Sequence, residues 1–217
     1  MFRNWRCGLP KGVTVHPVTF PGHQGRFRQP LISQVLKLVP KIFEELKPQL
    51  ETPVAFFGHS LGGLIAFEVV REMRRRGEIP PALLLISGCA APQLLKARTN
   101  FHALPDRSFQ RKCASIIPLN VRRNPELMSL MLPILRADVT LFETYQYSEE
   151  APLDCRICAF GGTSDMGVRR PDLNAWKVQT TNSFTLRMFK GDHFFIINRE
   201  KEILKTMHRE LKRVLLQ

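Results

Sequence analysis

A serine stands between two glycines in Gly58-His59-Ser60-Leu61-Gly62, with the apolar run 54–57 before it and a helical pattern through Met73 after it. A strand that turns directly into a helix exposes the serine hydroxyl at the helix N-terminus, where unpaired N–H groups and the helix dipole favour developing negative charge. Without those flanks the pentapeptide is an ordinary turn; with them it has the arrangement of a nucleophile. A serine hydroxyl is weak at its own pKa and needs a base, and the base needs an acid to hold its tautomer. His193 follows the strand-like run 184–189 after a short loop, Lys190-Gly-Asp-His. His102 lies in a helical stretch and His208 on the closing helix, where packing or solvated roles are expected, and His59 is the neighbour of the nucleophile. For the acid, Asp165 lies in the loop after the run 157–162. Asp154 precedes that run, at the wrong end of the strand, and Asp192 is too close in sequence to orient the ring of His193; Asp172 stays open as a substitute. The implied chemistry is acyl transfer. Ser60 attacks, His193 takes and returns the proton, Asp165 steadies the imidazolium, and the Leu61 N–H receives the oxyanion.

These side chains need a scaffold that brings residues 60, 165 and 193 together. The apolar runs 54–57, 83–88, 157–162 and 184–189 read as buried parallel strands, and helical patterns separate them. That alternation predicts an α/β fold with a mostly parallel sheet, its chemistry at the carboxyl ends of the strands. Val13, Val15, Val18 and Phe20, closed by Pro21-Gly22, read as a further strand and turn. Ile32, Val35, Leu36, Val39, Ile42, Phe43 and Leu46 recur at helical spacing over most of 30–49, with Pro40 expected to kink or split the helix. Ile203, Leu204, Met207, Leu211, Val214 and Leu215 form a closing amphipathic helix. From about 94 to 147 the alternation stops and helical patterns dominate, so residues 1–217 read as one domain carrying a helical lid insertion. Its apolar residues Ile116, Ile117, Leu127, Met128, Met131 and Leu132 are expected to shape an acyl pocket or, more plainly, to close a core.

Composition removes several classes. The longest apolar runs are far shorter than the roughly 20 residues that cross a bilayer, and residues 1–20 hold no apolar signal core. A soluble, cytoplasmic chain is expected. Five cysteines in a chain long enough to fold without staples favour a reducing compartment. Cys155 and Cys158 fall on opposite faces of a strand, and no second pair stands at zinc spacing, so no metal and no cofactor is expected. The net charge of +13 implies an acidic partner. Nucleic acid is not that partner, because the basic residues are scattered and only two Trp and two Tyr could stack on bases. The densest basic cluster, residues 71–76, reads as a solvated helix face.

Taken in order, the motifs resemble the type II, or external, thioesterases of non-ribosomal peptide, polyketide and fatty acid synthases, which are α/β-hydrolases. The resemblance rests on Phe2-Arg-Asn-Trp, on Pro21-Gly-His-Gln-Gly-Arg with His23 where the family has Arg, and on Phe57-Gly-His-Ser-Leu-Gly. It continues through Pro125-Glu-Leu-Met, Leu132-Pro-Ile-Leu-Arg-Ala-Asp, Glu143-Thr-Tyr, Pro152-Leu-Asp-Cys, Gly161-Gly-x-x-Asp165 and Gly191-Asp-His-Phe-Phe. It implies a monomeric enzyme that hydrolyses acyl groups from the phosphopantetheine thiol of an acyl or peptidyl carrier protein, whose acidic surface suits a basic enzyme. Family members begin with a strand and a Phe-Pro-x-x-Gly-Gly loop that gives a second oxyanion N–H, and Met1 falls after both. On that resemblance the chain lacks the N-terminal strand and oxyanion loop, and weak activity or poor solubility is expected of it. Two other readings compete: an inactive, N-terminally truncated hydrolase fragment, and an esterase or lipase acting on free esters with the same triad.

Overall fold

Four short apolar runs become the four strands of one parallel sheet: β1 (Ala55–His59), β2 (Leu83–Ser87), β3 (Arg156–Gly162) and β4 (Phe184–Phe189). They lie side by side in chain order, with Ala55 opposite Leu83, Leu83 opposite Arg156 and Ile157 opposite Phe184. The registers align the carboxyl ends, so the segments after Ser60, Ser87, Gly162 and Phe189 all leave from one edge. The computed structural model describes residues 5–50, 53–95 and 100–215. All five residues of β2 are buried, as an interior strand requires. β1 differs from the sequence expectation of a doubly buried strand: Ala55 is exposed and Phe56 and Phe57 are half-buried. It pairs on one side only among the described residues.

Parallel neighbours need crossovers. Between β1 and β2 the chain passes through α2 (Leu61–Arg75), after α1 (Val35–Leu46) has preceded the sheet. Between β2 and β3 come α3 (Asp106–Lys112), α4 (Leu119–Arg122) and α5 (Pro125–Glu143). Between β3 and β4 lies α6 (Arg170–Asn174), and after β4 follow α7 (Phe195–Asn198) and α8 (Glu200–Leu215). The chain divides into two compact units. One comprises Met1–Val18, Val39–Leu94 and Glu149–Gln217; the other comprises Thr19–Leu38 and Leu95–Ser148.

In the first unit, period-two alternation sends Leu83, Leu85, Cys158 and Phe160 to one sheet face, where Ile203, Leu204, Met207 and Leu211 of α8 cover them together with Trp5, Phe189 and Phe195. Cys158 belongs to that core, whereas Cys155 lies just before β3; both thiols are free and burial pushes both up to about 12. The basic cluster 71–76 is a solvated face only in part: Arg75 and Arg76 are exposed, but the cluster is ion-paired and Arg71 is buried. Arg71 is 2% exposed and donates to Glu68 (2.8 Å), Arg76 donates to Glu72 (2.8 Å), and Arg71, Arg74 and Arg75 converge on Glu150. Helical spacing lets Glu68 and Glu72 meet the arginines one turn on, but Glu150 arrives from the segment before β3, which no local pattern announces.

The second unit has its own core: Phe109, Cys113, Ile117 and Val121, packed by Leu104, Met128, Leu132, Leu135 and Val139. α5 starts where Asn124 accepts the Glu126 and Leu127 N–H groups, with Pro125 in the first helical position, where its missing N–H costs nothing. The Glu143 carboxylate accepts the backbone N–H groups of Phe101 and His102 and binds the His102 ring (2.7 Å). His23 bonds Asp138 through Nε2 and the Pro21 carbonyl through Nδ1, each at 3.0 Å. That hydrogen bond to Asp138 is the largest influence on the His23 pKa and raises it.

Two elements depart from the sequence reading. Residues 13–20 pair with no strand among the described residues. Alternation favours an extended chain, but a strand exists only where a neighbour takes its N–H and C=O groups, and Pro17 has no N–H to give. α1 in turn runs unbroken through Pro40. The carbonyl that loses its donor is that of Leu36, a residue 88% exposed and so not part of the buried stripe. The motif residues 2–4 lie outside the described residues, as does the side chain of Leu215.

Candidate active site

β1 ends at His59 and α2 begins at Leu61, so one residue makes the whole turn, and Ser60 makes it at φ +53° and ψ −122°. A non-glycine residue in that region carries roughly 1–3 kcal/mol of strain. The sharpness is bound to Gly58, because a Cβ there would lie 2.0 Å from the Gly62 carbonyl oxygen. A Cβ at Gly62 would meet nothing within 4 Å, so the two glycines of the pentapeptide are not equivalent. The Ser60 N–H donates to the Ser87 carbonyl (2.7 Å), which pins the turn to the end of β2.

His193 comes from the loop after β4, held against the loop after β3 by Thr163 N–H to the Phe189 carbonyl and Ser164 N–H to the Gly191 carbonyl, both 2.8 Å. Its Nδ1 lies 2.7 Å from Asp165 Oδ2 and its Nε2 lies 3.1 Å from Ser60 Oγ. An ionised carboxylate can only accept, so Nδ1 carries the ring proton and Nε2 offers its lone pair to the Ser60 hydroxyl. Asp165 is 7% exposed. Its other oxygen accepts the Gly167 and Val168 N–H groups at 2.8 and 3.1 Å. Burial is the largest single influence on this carboxyl and pushes its pKa up, but the His193 bond and the two N–H groups together outweigh it and hold it below the ordinary value. The geometry therefore provides a hydroxyl, a base and a buried anion in line.

Three of the residues expected from sequence, Ser60, His193 and Asp165, thus meet within hydrogen-bond distance. Leu61 supplies the first N–H of α2, which the helix itself cannot satisfy. The rival acids are occupied elsewhere: Asp172 accepts the Arg169 N–H at the start of α6 (2.8 Å), and Asp192 accepts the Phe194 N–H (2.9 Å). His102 is bound to Glu143, and His208 lies on α8. Sequence reasoning gave His59, as the nucleophile's neighbour, at most a supporting role, and it passed over Ser87. The His59 ring packs 5.0 Å from that of His193, and its Nδ1 is 2.9 Å from the Ser87 hydroxyl. The one available signal was their place at the ends of adjacent strands. Among the described residues no group of three His, Cys, Asp or Glu could hold a metal ion, and no helix is long and apolar enough to cross a membrane.

Comparison with known proteins adds independent findings. The thioesterase domain family matches residues 1–211. Gramicidin S biosynthesis protein GrsT of Aneurinibacillus migulanus is 37% identical over 216 residues, which cover 99% of this chain and 84% of that protein. The crystal structure of ClbQ from the colibactin NRPS/PKS pathway matches with a TM-score of 0.92 at 31% identity, covering 99% of this chain and 92% of the other. YbtT, a type II thioesterase from the yersiniabactin NRPS/PKS biosynthetic pathway, matches with a TM-score of 0.81 at 30% identity over 91% of this chain and 81% of its own.

Proposed function

The chain belongs to the thioesterase domain family, among its type II enzymes, and from that premise we propose that Ser60, His193 and Asp165 hydrolyse an acyl thioester borne by a carrier protein. The observation that carries this reading is the continuous line from Ser60 Oγ to His193 Nε2 (3.1 Å) and from His193 Nδ1 to Asp165 Oδ2 (2.7 Å). His193 takes the Ser60 proton as the oxygen attacks the thioester carbonyl carbon. The Leu61 N–H donates to the oxyanion of the tetrahedral intermediate, and the C–S bond then breaks, the thiol leaving with the proton that His193 returns. Water repeats the sequence on the Ser60 ester and releases the free acid. Asp165 stays ionised throughout and steadies the imidazolium formed in each half-reaction.

The carrier is an acyl or peptidyl carrier domain, the enzyme works on it as a cytoplasmic monomer, and the helical insertion of about residues 94–147 governs which acyl groups are accepted. The net charge of +13 supports an acidic partner through steering of the encounter. Ser60→Ala is expected to abolish turnover on an acyl-carrier thioester, a loss on the order of a millionfold, and a fluorophosphonate is expected to label Ser60. Labelling at a different serine, or turnover by the alanine variant, would overturn the assignment. A free ester of equal chain length should react more slowly than the carrier thioester; the reverse ranking favours the esterase reading.

A further inference from the structure

His59 occupies the last position of β1, opposite Ser87, the last position of β2. Ser87 is fully buried, its carbonyl accepts the Ser60 N–H, and its hydroxyl lies 2.9 Å from His59 Nδ1. One residue of β2 therefore holds both the nucleophile's backbone and the ring beside it. From that anchor the His59 ring reaches the His193 ring, with centroids 5.0 Å apart at 46°, and meets Phe195 edge-on at 5.9 Å. Gly88 makes room for the pair. It adopts φ +56°, and a Cβ there would lie 2.8 Å from His59 Cε1 and 3.4 Å from His193 Cε1. His59 Nε2 is buried and has no hydrogen-bond partner among the described residues, so what this edge of the ring brings to its neighbours there is bulk and shape.

We propose that His59 is a positioning residue, a ring clamped by Ser87 and Phe195 that buttresses His193 and fixes its approach to Ser60 and Asp165. The proposal rests on reading those three residues as the reacting set. Only a neutral ring suits this place, since an imidazolium 5.0 Å from His193 would oppose the charge that His193 gains when it takes the serine proton. The environment keeps His59 neutral: burial, then the neighbouring His193, pull its pKa down to about 4 against a weaker upward pull from Asp165. Two histidines in ring contact thus divide the work. One exchanges protons and the other, fixed by β1 and β2, sets where that exchange happens.

The test compares three forms of the full chain on an acyl thioester of N-acetylcysteamine: wild type, His59→Asn, and His59→Phe combined with Ser87→Ala. Asn keeps a polar group near Ser87 but removes the ring; Phe keeps the ring and Ala removes the stranded hydroxyl. His59→Asn should lower kcat about tenfold to a hundredfold, the cost of a misplaced reacting group, with KM within about twofold. Its downfield N–H proton signal from the His193–Asp165 bond should weaken or vanish. The Phe/Ala form should recover most of the lost kcat and that signal. Wild-type kcat and signal in a folded Asn variant would overturn the proposal, as would a folded Phe/Ala variant no better than Asn. Should Asn not fold, the Phe/Ala form decides alone: kcat within about threefold of wild type supports the buttress, and a folded protein with a hundredfold loss refutes it. Failure of the underlying triad reading looks different, because turnover would then survive Ser60→Ala.

Discussion

Asp165 and Asp172 stand seven positions apart in the same inter-strand segment, and the difference between them is one of partners. Asp165 spends one oxygen on two backbone N–H groups and points the other at His193, so its charge is fixed both in place and in aim. Asp172 spends an oxygen on the start of α6. Asp165→Asn is therefore expected to cost about ten-thousandfold in kcat through the wrong His193 tautomer. Asp172→Asn should change kcat by only a few-fold and stability by about 1 kcal/mol or less. Steady-state rates with thermal melts for both variants check this, and an equal or larger kinetic loss at position 172 would reassign the acid. The sequence favoured Asp165 because it follows a strand, and left Asp172 open because loop length says nothing about which carboxylate a ring will meet.

α5 shows how much an element's own pattern leaves undecided. Its apolar residues form two stripes, and both look alike in a helical projection. Met128, Leu132, Leu135 and Val139 pack on Phe109, Cys113, Ile117 and Val121, whereas Leu127, Leu130 and Met131 are 40%, 69% and 38% exposed. Of the six residues that the sequence reading assigned together, Ile117, Met128 and Leu132 belong to this core, while Ile116, Leu127 and Met131 are exposed. Leu132→Ala should destabilise by about 1–3 kcal/mol, through lost burial and an incompletely closed cavity. Leu127→Ala and Met131→Ala should stay within about 0.5 kcal/mol of wild type and shift the preferred acyl length instead. Melts and a chain-length series separate the two sets, and an unchanged preference in both exposed variants would remove the insertion from substrate selection. The same limit explains residues 13–20. Alternation set the phase of their side chains but supplied no partner strand.

Across the whole molecule, charge is arranged more closely than a net +13 suggests. The densest arginine cluster is committed to Glu68, Glu72 and Glu150, so the surplus that could meet an acidic carrier lies elsewhere. Burial pushes the Glu150 carboxyl up most strongly, yet hydrogen bonds from Arg75, Arg74 and Arg71 overcome it and bring the pKa to about 2, below its ordinary 4.5. A folded-state value below the unfolded one gives stability that is complete above 4.5 and is lost as the pH falls through about 2. Glu150→Gln should cost about 1–2 kcal/mol at pH 7, because Arg71 keeps its bond to Glu68 but it, Arg74 and Arg75 lose a shared charged acceptor. Its urea midpoint should also fall less than that of wild type between pH 5 and pH 2, and two parallel curves would exclude the network as an acid-labile tie. Sequence alone determined where the four parallel strands fall, the turn at Ser60 and the order Ser, Asp, His, because a short apolar run bounded by turn residues and a turn between strand and helix impose their patterns on adjacent residues. That holds even where, as in β1 and β4, the strand is only half-buried. Only the tertiary structure decided that β1 is paired on one side among the described residues, that Glu150 closes the arginine cluster, and that His59 leans on His193. Those depend on registers and contacts between residues far apart in the chain, and side-chain periodicity along a single element carries no information about which partner it will meet.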